Sequence, residues 1–142
     1  MLQQDYLMRM ILQFAEAIRL SLQKSNGQHD PRAAAEMLEA AIGEATDIDG
    51  GILLGLAPES MVGIMQVSGT DPHLTGYIAH SLLMSSLYLK KANEPALAQL
   101  REKQARAVAF AYGITLPEVY SEADMEAFLD SQEEEISQLA NS

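Results

Sequence analysis

Proline cuts this chain into helical lengths. Of its five prolines, four stand where a helical pattern begins: Asp30-Pro31, Ala57-Pro58, Asp71-Pro72 and Glu94-Pro95. Proline has no amide N–H and a φ held near about −65°, so it suits the first helical turn and disrupts any later one. An aspartate just before it can accept hydrogen bonds from that turn's orphan amides. Asn26-Gly27, Ser68-Gly69-Thr70 and Gly113 supply the matching stops. Apolar–polar alternation never persists without a stronger helical reading. The expected class is therefore all-α, a compact domain of about five to six helices.

Each length carries a face. In residues 3–24 the polar positions Arg9, Gln13, Glu16 and Gln23 form one narrow strip. Tyr6, Leu7, Met10, Ile11, Phe14, Ile18 and Leu22 make an apolar stripe, and Met8, Leu12 and Ala15 widen it. A surface helix needs an apolar stripe about 100° wide. This one is wider, so it is either buried between several helices or shared with another chain. After Pro31, Ala34, Met37, Leu38, Ala41, Ile42 and Ala45 share a face, and the alanines allow a close neighbour. A short helix runs from Pro58 to about Val67. Residues 72–92 turn Leu74, Tyr77, Ile78, Leu82 and Leu89 inward, and residues 95–112 turn Leu97, Leu100, Ala107, Val108 and Ala111 inward. Ser121-Glu122-Ala123-Asp124 resembles a capping box. It opens a last helix with Met125, Phe128, Leu129, Ile136 and Leu139 on one face. We divide the chain into a helical domain over 1–113 and an acidic linker with an amphipathic helix over 114–142.

Composition narrows the function classes. There is no cysteine, so disulfides, thiolate metal sites and cysteine nucleophiles are excluded together. The start MLQQDYLMRM lacks a basic region followed by an apolar block, and no apolar run nears the ~20 residues that span a bilayer. The expected location is cytoplasmic, away from membranes. Net charge is −11, and eight acids without a Lys or Arg follow from Glu118 onward. Such a surface repels phosphate backbones, so no nucleic-acid partner is expected. The only basic cluster is Lys90, Lys91, Arg101, Lys103 and Arg106. Its expected counterpart is the chain's own acidic tail.

No motif announces chemistry. TDIDGGILL, residues 46–54, looks like part of a calcium loop. With Gly50 at loop position 6, Ala45 and Leu56 fall where the first ligand and the bidentate Glu belong. The segment reads as a helix-to-helix turn, its glycines and aspartates serving the backbone. His73 and His80 lie about 10.5 Å apart along a helix axis, too far to share one ion. Ser60, Ser81, Ser85 and Ser86 lack a nucleophile-elbow context. The Gly50–Gly55 region leads to no phosphate-loop lysine. No catalytic or metal-binding residue and no cofactor is assigned.

Gln4-Asp5-Tyr6-Leu7-Met8-Arg9-Met10-Ile11 resembles the start of an uncharacterised bacterial family of helical proteins, whose members open acid-Tyr-apolar-Met-Arg-apolar-Ile. Leu54-Gly55-Leu56-Ala57-Pro58-Glu59 and the helix-starting Asp71-Pro72 extend the likeness over roughly residues 4–112. The resemblance implies a tetratricopeptide-like antiparallel helix hairpin at about 72–112. Within it Ser85, Tyr88, Asn93, Ala98 and Ala105 match the repeat's small and aromatic positions loosely, and the repeat-ending proline is missing. It implies a fold and carries over no reaction.

Two functions stay open. The first is a non-catalytic interaction or scaffold protein, binding a protein partner or itself as a homodimer, through Tyr6, Met10, Phe14, Met125, Phe128 and Leu129. The alternative is a small ligand-binding protein or enzyme with an apolar pocket between helices at Tyr77, His80 and Tyr88. Catalysis is the less expected of the two.

Overall fold

The computed structural model describes residues 2–141; the side chain of Leu139, placed on the inner face above, lies outside what is described. Among the described residues the chain is all-helical, with seven helices: α1 (Leu2–Asn26), α2 (Pro31–Thr46), α3 (Gly50–Leu53), α4 (Pro58–Ser68), α5 (Pro72–Lys91), α6 (Pro95–Tyr112) and α7 (Glu122–Asn141). That is one more than the upper expectation. The extra element is α3, a single turn inside TDIDGGILL.

The starts follow from the capping chemistry. The Asp30 carboxylate accepts from Ala33 N at 3.1 Å, and that of Asp71 from His73 N at 2.8 Å. Asp49 does the same for Ile52 N at 3.2 Å, so it serves α3 as a cap. At α7, Ser121 N donates to Asp124 Oδ2 at 2.8 Å and Asp124 N to Ser121 Oγ at 3.4 Å, a reciprocal box with Asp in the usual Glu place. Gly69 and Gly113 end α4 and α6 at φ 73° and 69°, in the left-handed region where a side chain is strained.

Helix α5 is the centre. It packs on α6 and α2 along much of its length and touches α1 and α7 at its remaining sides. The expected face (Leu74, Tyr77, Ile78, Leu82, Leu89) is buried, but so are Ala79, His80, Ser81, Leu83, Met84, Ser85, Ser86 and Tyr88. The small serines let neighbours close in. Ser86 Oγ donates to Ala98 O on α6 at 2.7 Å. Ser81 Oγ and Ser85 Oγ are buried with no partner among the described residues, a desolvation cost of about 1–3 kcal/mol each.

The inward face of α6 differs from the expected one. Val108 is buried as expected, and Leu97, Leu100 and Ala107 are half-buried, but Ala111 is exposed. Ala98, Arg101, Gln104, Ala105 and Ala109 are buried instead. The helix is rotated because its two long polar residues have partners inside.

Candidate functional site

Three places concentrate the chain's chemistry. The first is where α7 lands on α1 and α5. Phe14 of α1 and Tyr77 of α5 have ring centroids 5.6 Å apart, and Phe128 of α7 meets Tyr77 edge-on at 5.0 Å. Phe128 also stacks on His80 at 3.9 Å and 15°. Such ring pairs add about 0.5–1.5 kcal/mol each beyond the area they bury. The Tyr120 hydroxyl closes the cluster, 2.8 Å from His80 Nδ1 and 3.7 Å from Met125 Sδ. Further along α5, the Tyr88 hydroxyl lies 3.0 Å from Ser21 Oγ, which donates to Ile18 O.

Burial sets the titration of this cluster. His80, 8% exposed, is lowered from 6.5 to about 4 by desolvation, against a smaller opposing pull from the Asp124 carboxylate. Desolvation raises Tyr77 and Tyr88 to about 12, and pushes Tyr120 well above the ordinary phenol range. At neutral pH the His80 ring is uncharged and all three phenols keep their protons.

Tyr77, His80 and Tyr88 are buried, and side chains from α1, α7 and the Tyr120 segment occupy the space beside them. Phe14, Met125 and Leu129 are buried within the single chain, Met10 and Phe128 are half-buried, and Tyr6 alone of the six is exposed. His73 is exposed beside its own cap, with Nδ1 3.0 Å from Asp71 Oδ1. The basic cluster is dispersed. Lys91 Nζ reaches Glu122 at 3.2 Å, Arg106 donates to the Glu118 carbonyl at 2.8 Å, and Arg101 turns inward.

Arg101 builds the second place. It is 5% exposed, and its guanidinium donates from Nε to Glu39 Oε2 at 3.0 Å. From Nη1 it reaches the Leu54 carbonyl at 2.7 Å and Gln104 Oε1 at 3.0 Å. Gln104 Nε2 donates to the Leu54 and Leu56 carbonyls at 3.0 and 2.9 Å. Two polar side chains of α6 thus satisfy the carbonyls that follow α3. Beside this knot lies a groove of about 340 Å³, with Gly50, Gly51 and Gly55 on one side, and Glu39, Arg101, Leu97 and Leu100 among its other walls. Sequence reasoning missed this group. A hint was present in α6, where Arg101 and Gln104 stand three apart between Ala98 and Ala105.

No family model, curated protein or solved structure matches the chain.

The third place is the outer face of α1. Tyr6, Leu12 and Leu20 are 58%, 50% and 42% exposed. An apolar surface patch runs along Met8, Leu12, Ala17 and Leu20, with Asp5, Arg9 and Glu16 beside it. None of these three charged residues has an ion-pair partner among the described residues.

Proposed function

We propose that the chain is a non-catalytic helical interaction protein that pairs with a second copy of itself through the outer face of α1. The observation that carries this reading is the exposure of Tyr6, Leu12 and Leu20 on a helix whose other side is already packed. Charge order supports a self-complementary contact. In an antiparallel pair with its two-fold axis between Leu12 and Gln13, Arg9 of each copy faces Glu16 of the other. A two-fold interface uses the same patch twice, which is the commonest arrangement in homo-oligomers. The overall charge of −11 argues for a protein partner over a nucleic acid, and the absence of cysteine suits a cytoplasmic setting.

The same reading takes α5 and α6 as the tetratricopeptide-like hairpin of the resembled bacterial family. Its support is the short link between the two helices and the close Ser86–Ala98 contact. Sedimentation equilibrium of the full chain tests the pairing. The expected result is a concentration-dependent dimer that Leu12→Arg converts to monomer. Arg9→Glu weakens it and the double exchange Arg9→Glu with Glu16→Arg restores it. A monomer at high micromolar concentration overturns the reading.

A further inference from the structure

We propose that the glycine-sided groove between α2, α3 and α6 binds a small zwitterion of the α-amino-acid type, with Arg101 taking its carboxylate and Glu39 its ammonium.

Arg101 has donors to spare. A guanidinium has five N–H groups. In Arg101, Nε and Nη1 serve Glu39, the Leu54 carbonyl and Gln104. Nη2 has no partner among the described residues, although Arg101 is more than nine-tenths buried and lines the groove. Glu39 accepts through Oε2 only, so its second oxygen is free as well. Two neighbouring side chains that line the groove therefore carry an unused charged donor and an unused charged acceptor.

Charge balance selects the ligand. Arg101 and Glu39 already cancel. A simple anion would add negative charge beside Glu39 in a chain of net charge −11. A simple cation would compete with Arg101 for Glu39. A zwitterion meets both free groups and leaves the local charge unchanged. Carboxylate on guanidinium is also a strong, directional pairing. The site is held ready before any ligand arrives, because Gln104 and the Leu54 carbonyl fix the guanidinium. Little ordering cost is then left for binding.

Shape sets the size. Gly50, Gly51 and Gly55 present main chain without side chains on one wall. Leu97 and Leu100 offer an apolar wall for a ligand's side chain. A volume of about 340 Å³ lies at the small end of ligand sites, in keeping with a single amino acid.

The test is a titration of the full-length, nitrogen-15-labelled chain with L-leucine to tens of millimolar, followed by amide chemical shifts. Saturable shifts centred on Gly50, Gly51 and Gly55 are expected. Two half-ligands give the specificity: 4-methylpentanoate lacks the ammonium and 3-methylbutylamine lacks the carboxylate, and each should bind about tenfold or more weaker. Glu39→Gln keeps an oxygen for Arg101 Nε and should weaken leucine by a similar factor. If that variant fails to fold, the half-ligands decide on the unmodified chain. The absence of saturable shifts, shifts centred on another face, or a half-ligand that binds as tightly as leucine overturns the proposal. Self-association at α1 is a separate measurement on a different surface, so each idea can fail alone.

Discussion

Two joints hold outlying segments against the helical body, and they use opposite chemistry. The α7 joint is made of rings: Phe128 inserts against Tyr77 and His80, and Met125 and Leu129 bury beside it. The α3 joint is made of polar groups: Arg101 and Gln104 reach out of α6 to the Leu54 and Leu56 carbonyls. The difference follows from what each segment brings. α7 satisfies its own backbone and needs only a place for an apolar stripe. The chain after α3 leaves its helix after one turn, so its carbonyls arrive at the core unpaired. Burying them without partners would cost about 1–3 kcal/mol apiece. An apolar face can be supplied by many residue types, whereas those carbonyls require side-chain donors that reach them.

The largest effect is expected at the polar joint. Arg101→Met removes a buried cation from Glu39 and from two further acceptors, and we expect a loss of about 3–5 kcal/mol. A denaturant midpoint close to that of the unmodified chain would show that the knot follows the fold instead of holding it. At the ring joint acid is the sharper tool. Unfolded His80 takes a proton near pH 6.5, whereas the folded residue resists it until about pH 4. Between those values the unfolded state binds more protons, so stability falls as pH drops through the window. The full loss is about 3 kcal/mol. Denaturant curves from pH 7 to 4 should show the slope, and His80→Phe, which keeps a ring on Phe128, should flatten it.

Tyr120→Phe separates the hydroxyl from the ring. Packing is kept and the His80 bond is lost, for an expected cost of about 1 kcal/mol. A much larger loss would place the joint's strength in the Tyr120 hydroxyl. The smallest effect belongs to the rim. Arg19 and Glu133 lie 3.9 Å apart with both side chains substantially exposed. Arg19→Ala should change stability by less than about 0.5 kcal/mol and should leave the α7 amide exchange rates unaltered.

How readily each joint can be read from sequence follows from the same contrast. Met125, Phe128 and Leu129 repeat at helical spacing, so the face of α7 is legible in the residue order alone. Arg101 and Gln104 do not read as core residues, because a long polar side chain on a helix defaults to solvent. The main-chain carbonyls they serve lie about 50 residues away and carry no residue-type signature. The candidate pocket at Tyr77, His80 and Tyr88 shows a related gap. Periodicity puts these residues on α5 but cannot say what stands opposite them, which is Phe14, Phe128, Tyr120 and Ser21.

Local chemistry alone settled the helical class and most of its boundaries. Asp30, Asp71 and the Ser121–Asp124 pair cap the turns their positions announce, and Gly69 and Gly113 end theirs, because caps and left-handed stops depend on near neighbours. Tertiary structure decided the rest. It made α5 the central helix, burying its serines, His80 and Tyr88 as well as the apolar face that periodicity marks. It rotated α6 to bring Arg101 and Gln104 inside, and it left Tyr6, Leu12 and Leu20 of α1 in water. The reason is physical. A helix's own sequence determines which of its faces resemble one another, while burial depends on which neighbours arrive and on which backbone groups they bring unsatisfied.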